Sequence, residues 1–374
     1  MEMKQEAPLD RAINRIRPSV RHEKPYIVAR DPGEIHIKLN QNENPADLPA
    51  ELKEKLIKAF FEVPFNRYPT EQPNRLQEAI GAHTGHDPAG ILIGNGSNEL
   101  THTLGLALIE PGRPVVLPAP MFSLYTSVVR LFEGRPIQVP PLPDLRFDAA
   151  ALLDAVQTHR PSLTILTTPN NPTGLSMPLS EIEPIVDAAA DFGFVVVDEA
   201  YVEFTEETSA QTLLDRYPHL ILVRTLSKAF GLAGLRIGYL MAHPAIIQEL
   251  LKARLPFMID RLSESVALAL LEAPALLAER VAAMKKACGD ITRALAAMPG
   301  VHVVPSQANF VLFKTERGGR DVMKQLAASG ILVRDMSGYP ELQGYLRVSA
   351  GLPEENKAFL SALERSLHTL ASSA

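Results

Sequence analysis

The chain reads as an α/β protein, with a mostly parallel central sheet covered by helices on both faces and a smaller α+β domain. Short apolar runs alternate with amphipathic helical patterns through its middle, the order expected of parallel strands joined by helical crossovers. Several of these runs are apolar throughout instead of at every second residue, as in strands buried on both faces. Length agrees: at 374 residues the chain exceeds the roughly 250–300 at which one core stops growing, so a second, smaller unit is expected.

In order along the chain, residues 1–44 are polar, carry Pro18, Pro25 and Pro32, and read as an extended arm contributing to the smaller domain. "PAELKEKLIKAFFE" is an amphipathic helix, and "EQPNRLQEAIGAHTG" begins another. The strands expected next are "GILIGNG", "PVVLPAP", "SLTILTT", "GFVVVDEAY", "LILVRT" and "RIGYLMA", with helices at "SNELTHTLGLALIE" and "LSEIEPIVDAAADFG". Residues 45–255 thus make a large domain. From about residue 255 the texture changes. One long helical stretch is expected from Ser263 to Met298. After it come "VHVVPSQANFVLFK", the helix "GRDVMKQLAASG", "ILVRD", "GYLRVSAG" and a last helix, "PEENKAFLSALERSLHTLA". Residues 256–374 are the small α+β domain, with a cleft between the two.

Composition excludes several function classes. A net charge of −6 leaves no basic stripe for nucleic acid, although local basic clusters can still hold small anions. Cys288 stands alone, so no internal disulfide and no cysteine-based zinc site can form; in its helical context it reads as a small buried residue. His83 and His86 form the one close histidine pair, without paired carboxylates, so no metal is expected. The first residues lack an apolar signal core, and no run approaches the roughly 18 residues of a membrane span. A cytoplasmic protein without membrane partners is expected.

Four motifs sit at the carboxyl ends of expected strands. "ILIGNGSNEL" turns from a strand into a helix at Ser97–Asn98, where free N–H groups and the helix dipole favour an anion. Gly94 and Gly96 also match half of a dinucleotide fingerprint, but Glu99 stands where its third glycine belongs and could cap the helix instead. "TPNNPTG" holds Asn171 extended before Pro172, and read alone it is equally a turn-rich loop. "VVVDEAYVEF" ends an apolar strand on Asp198, which needs a partner there or else caps the next helix; Tyr201 comes three residues later. "RTLSKAFGLAGLRIGY" carries Thr225, Ser227, Lys228 and Arg236, and a desolvated lysine there can act as a nucleophile. A solvated lysine is the alternative, but it leaves the shared strand-end position of all four motifs unexplained. In an open α/β sheet such ends converge on one crevice.

With these motifs, and with "LNQNENP", "NRYPTEQPNRLQEAI", "SQANFVLF", "ILVRD" and "YLRVSAG", nearly the whole chain resembles the fold-type I, class II pyridoxal-phosphate aminotransferases. Within them it is most similar to the histidinol-phosphate group. The resemblance implies a Schiff base from Lys228 to the aldehyde of pyridoxal 5'-phosphate, with the freed amine later moving a proton. It implies Asp198 beside the pyridine nitrogen, and Asn171 and Tyr201 on the ring's phenolic oxygen. The phosphate would rest on Gly96, Ser97 and Asn98, with Thr225 or Ser227 hydroxyls and the planar fork of Arg236. Phe122 would stack on the ring, and Tyr68 would reach the phosphate of a neighbouring subunit, which implies a homodimer with shared sites. Arg347 would bind a substrate carboxylate, Arg334 a substrate phosphate, and Tyr26 would touch substrate from the arm.

The implied activity is ping-pong transamination of L-histidinol phosphate with 2-oxoglutarate in histidine biosynthesis. Departures from the pattern fall on segments facing substrate: "ADLP" after "NENP", "RLPFMIDRLSE", and the surroundings of Tyr26. Alternatives are an aromatic or broad-specificity aminotransferase, or a phospho-amino-acid decarboxylase with the same cofactor. A non-catalytic sensor would need a DNA-binding extension that is not visible. A nicotinamide oxidoreductase lacks the third glycine and a well-placed ribose-binding acid.

Overall fold

The computed structural model describes residues 8–25 and 34–372. All six apolar runs become strands of one seven-stranded sheet. Its order is Ile91–Asn95, Ile237–Met241, Leu220–Thr225, Phe194–Asp198, Leu163–Thr167, Pro114–Pro118, Arg135–Val139. Ile237–Met241 runs antiparallel to both neighbours, and the other pairings are parallel. Leu163–Thr167 and Leu220–Thr225 are buried at every residue, which is why those runs do not alternate. Arg135–Val139 was not expected as a strand. It lies at the sheet edge, is only partly buried, and carries Arg135, Pro136 and Gln138, residues an edge strand tolerates.

Alternate residues of the sheet feed two apolar cores on opposite faces. Val195, Val197 and Leu222 join a first core, while Val196, Ile221 and Val223 join a second. Strand order reverses at Pro114–Pro118: the chain goes outward to Arg135–Val139, then returns to the other side with Leu163–Thr167. A crevice forms outside the carboxyl ends of strands at such a reversal.

A second, antiparallel sheet has the order Arg334–Asp335, Tyr345–Ser349, Phe310–Thr315, Val301–Val304. Ile37–Lys38 pairs in parallel with Ile331–Leu332, and Leu39 enters the core beneath this sheet. Helix Pro274–Ala296 links the packing units: Leu277 and Met284 belong to the first core, Cys288, Ile291 and Leu295 to the other.

Two expectations need correction. The helical stretch from Ser263 to Met298 is two helices, Arg261–Leu271 and Pro274–Ala296. Pro274 has no N–H to donate and drives Ala273 out of helical geometry, to φ −119° and ψ 61°. The first 44 residues are not wholly extended: Pro8–Ile13 and Pro18–Arg21 are short helices, and proline is well suited to a first helical turn. Helices Ser123–Leu131, Ala149–His159 and Pro244–Leu250 were not anticipated.

Cys288 is buried, and burial pushes its thiol up to about 12, so it stays protonated and inert. His83 packs edge-on to Phe230 at 5.6 Å, and His86 Nε2 lies 3.1 Å from the Ala242 carbonyl oxygen. No described helix is long and apolar enough to cross a membrane.

Candidate active site

A cavity of about 760 Å³ opens where the sheet strands end. Thr167, Asp198 and Thr225, each the last residue of its strand, form one wall. The second sheet supplies the facing wall through Arg334 and Arg347, which are direct partners across antiparallel strands. Asn40, Gln41 and Asn42, just beyond Ile37–Lys38 in the chain, close a third side.

The glycine turn sets a helix start beside Arg236, an arrangement that suits an anion. Gly96 has φ +76° and opens helix Gly96–Leu108, and Ser97 and Asn98 of its first turn line the cavity. A Cβ at Gly96 would lie 2.5 Å from Arg236 Nη2, and one at Gly238 would collide with the Ser97 backbone nitrogen. Gly238 is therefore required by close approach of backbone, and Gly96 by its positive φ, while a side chain at Gly96 would push the Arg236 guanidinium aside. Glu99, in the position of the missing fingerprint glycine, accepts from the Asn95 N–H at 3.2 Å and the Thr103 hydroxyl at 2.8 Å. It caps the helix, and the dinucleotide alternative loses its support. Arg236 Nη1 donates to the Ala233 carbonyl at 3.0 Å and lies 3.4 Å from Ser227 Oγ. Thr225 donates its hydroxyl proton to the Ile237 carbonyl at 3.2 Å, so of the two candidate hydroxyls only that of Ser227 turns toward Arg236.

Asp198 is 9% exposed. Its Oδ2 accepts from the Tyr125 hydroxyl at 2.7 Å and its Oδ1 from the Ala200 N–H at 2.9 Å. Burial pushes its pKa up to about 6 against those two hydrogen bonds. Tyr201 is buried, and its hydroxyl accepts from Asn42 Nδ2 at 2.9 Å. The two asparagines of "PNNPTG" divide the work. Asn170 is buried and ties the loop together through Pro120, Thr173 and Thr167. Asn171 faces the cavity and its Oδ1 accepts from Arg347.

Lys228 lies in the loop after Leu220–Thr225, with Nζ 3.1 Å from the Gln41 carbonyl oxygen and 5.9 Å from the centroid of the Tyr201 ring. Burial lowers its pKa to about 8, helped by the positive charges of Arg347 and Arg236 and opposed by Glu43 and Asp198. A fraction of this amine is therefore neutral near pH 7, available for addition to a carbonyl or for taking a proton. Arg347 Nη2 also donates to the Asn40 carbonyl at 3.0 Å, and its guanidinium lies 5.2 Å from the centroid of the Phe310 ring.

Phe122 lines the same cavity. Tyr68 does not: it is 78% exposed and stacks on Phe257 at 4.9 Å. Tyr26 lies outside the described residues. Sequence reasoning assigned no role to Tyr125, Asn42 or Gln41. Asn42 and Gln41 stand in "LNQNENP", and Tyr125 closes "PMFSLY" three residues after Phe122. That spacing on a helix start was the one available signal.

Comparison with known proteins agrees with this geometry. The profile of the family described as aminotransferase class I and II matches residues 34–363. The histidinol-phosphate aminotransferase of Chlorobaculum tepidum is 41% identical over 350 residues, covering 94% of this chain and 99% of that protein. A crystal structure of histidinol-phosphate aminotransferase from Sinorhizobium meliloti in complex with pyridoxal-5'-phosphate matches with a TM-score of 0.85 and 27% identity, over 95% of this chain and 98% of that one. L-threonine-O-3-phosphate decarboxylase from Porphyromonas gingivalis shares the fold, at TM-score 0.78 and 24% identity over 89% of this chain and 100% of that one. A lysine, an acid and an anion cradle at the strand ends, together with a profile match across most of the chain, lead to one conclusion: this chain belongs to the aminotransferase class I and II family.

Proposed function

We propose that the chain is a pyridoxal 5'-phosphate-dependent aminotransferase that exchanges an amino group between L-histidinol phosphate and 2-oxoglutarate. One observation carries the reading. A single cavity holds a lysine of lowered pKa together with two cationic anion sites, the Gly96–Ser97–Arg236 cradle and the Arg334–Arg347 pair. Five basic residues line it against three acidic ones, so it favours anions. Relatives named for histidinol phosphate at 37–41% identity support the choice of substrate.

The residues fit the cofactor. The cradle is a space that a Cβ at Gly96 would occupy, and it suits a phosphate at a helix N-terminus. Asp198, a buried carboxyl with a raised pKa, is stabilised by a cation such as a protonated ring nitrogen. When bound, pyridoxal phosphate supplies an aldehyde that captures amines and a ring that accepts an electron pair. Asp198 holds the proton on the ring nitrogen by staying ionised. Asn171, Tyr201 and Phe122, which line the cavity, would hold and orient the ring. Lys228 Nζ would take and return a proton at the substrate Cα, a role worth roughly 10²–10⁴-fold in rate. Arg334 and Arg347 receive the phosphate of one substrate and the distal carboxylate of the other, with planar guanidinium forks matching both.

The reading includes a homodimer. Tyr68, Phe61 at 80%, Phe65 at 68% and Leu255 at 67% exposure are large apolar side chains outside this chain's cavity, and such side chains are suited to burial in an assembly. Tyr68 would then reach the cradle of the second copy. A cytoplasmic setting accompanies this function.

A panel of amino donors with 2-oxoglutarate tests the reading. Histidinol phosphate should be turned over best, with glutamate as product. Turnover of aromatic amino acids without histidinol phosphate would contradict the substrate. Carbon dioxide release from a phospho-amino acid, with no need for a keto acid, would contradict transamination itself.

A further inference from the structure

Behind the cavity lies an ion pair that the proposed reaction does not use. Strand alternation turns Asp198 and Thr225 toward the second core and the cavity. The adjacent Glu199 and Arg224 turn the other way, toward the first core. Both are buried, with side chains 1% and 9% exposed. Arg224 Nε and Nη2 both donate to Glu199 Oε2, at 3.0 and 2.8 Å. Glu199 Oε1 accepts from the Ala210 N–H at 2.8 Å, and Ser209 Oγ bridges carboxylate and guanidinium at 2.8–2.9 Å. The Glu199 N–H also donates to the Val223 carbonyl at 2.8 Å, extending the strand pairing by one residue. This clamp joins the end of the strand carrying Asp198 to the end of the strand leading into Lys228.

We propose that Glu199 and Arg224 are positioning residues: their buried pair fixes how Asp198 and Lys228 face each other across the cavity, and so sets the rate of the proposed reaction. The inference rests on the aminotransferase reading for its kinetics, not for its electrostatics. Around Asp198 the charged or titratable groups are Tyr125, Lys228 and Glu199. Around the pair they are Glu203, Tyr239 and His83. Glu203 is partly buried, its Oε2 has no hydrogen-bond partner, and desolvation raises its pKa to about 7; the carboxylate that Arg224 contacts is that of Glu199. The negative charge of Glu199 raises the pKa of Asp198, and Arg224 offsets that charge. Buried pairs of this kind repay their desolvation only when the remaining hydrogen bonds are satisfied, as they are for the Glu199 carboxylate.

The test uses Glu199→Gln, a near-isostere, and Arg224→Met. Infrared titration of the cofactor-free protein, with Asp198→Asn to identify the band, reads the Asp198 midpoint without any turnover. It should move down by about one unit in Glu199→Gln and up by about one unit in Arg224→Met. In the loaded enzyme, kcat of Glu199→Gln should fall about ten- to a hundredfold with KM within about twofold, as for a small misplacement of reacting groups. Wild-type kcat in folded Glu199→Gln overturns the proposal. So does a lower kcat with the Asp198 midpoint unmoved, the mark of a merely structural residue. If Arg224→Met does not fold, Glu199→Gln alone decides. If the wild-type protein turns over no amine donor, the functional reading fails, and the clamp is judged on the midpoint.

Discussion

Asp198 is a buried carboxyl whose two hydrogen bonds do not offset its loss of solvent. Its pKa in the folded protein, about 6, lies above its ordinary value of 3.8 because burial disfavours the carboxylate. A raised folded pKa means that the stabilising contribution is fully present below about pH 4 and is lost as pH rises through 6. In cofactor-free protein, Asp198→Asn should therefore raise stability by about 3 kcal/mol at pH 8 and by almost nothing at pH 4. Denaturant melts at the two pH values check this, and an equal effect at both would show that the carboxyl is not desolvated. With cofactor present, the same variant should react slowly, since the protonated ring nitrogen loses its counter-charge. Lys228→Ala should lose nearly all turnover while keeping its fold; transamination near the wild-type rate would remove the lysine from the mechanism. Both side chains were readable in the sequence: Asp198 ends an apolar strand, and Lys228 follows another by three residues in a glycine-broken loop. Tyr125 was not: its hydroxyl meets Asp198 across 73 residues of chain, and nothing local marks such a contact.

Glycine placement makes the cradle a property of a turn and a helix start. Gly96 and Gly85 have nearly the same positive φ, +76° and +73°, but a Cβ at Gly96 meets Arg236 whereas one at Gly85 meets nothing within 4 Å. Alanine at either should cost about 1 kcal/mol in thermal stability through backbone strain. Only Gly96→Ala should weaken binding of pyridoxal phosphate, by tenfold or more as the guanidinium is displaced; a fluorescence titration reads the difference, and equal affinities would detach the cradle from phosphate. The six buried strands were legible because runs such as "VVVD" and "LILVR" are apolar on both faces. Arg135–Val139 was not, because an edge strand needs neither continuous nor alternating apolar residues. Pro274 was visible in the sequence, but helical periodicity continues on both sides of it and masked the break between the two helices.

At the scale of the whole molecule, two sheets and a proposed second copy meet at the site. The cavity exists only because the second sheet brings Arg334 and Arg347 over the strand ends of the first, contacts between segments more than a hundred residues apart that motif spacing cannot reveal. The position of Tyr68, exposed and away from its own cavity, is explained by the proposed second copy. Sedimentation should show a dimer for the wild-type protein, and Phe61→Glu with Phe65→Glu should shift it toward monomer with loss of cofactor affinity. A wild-type monomer with full activity would contradict shared sites. The proposed function depends above all on the capture of an aldehyde by one half-buried amine, that of Lys228. Treating the pyridoxal phosphate-loaded protein with borohydride, digesting it and sequencing the peptides by mass spectrometry should find the reduced pyridoxyl group on Lys228 alone. A label on another lysine, or none on a protein that still transaminates, would contradict the account.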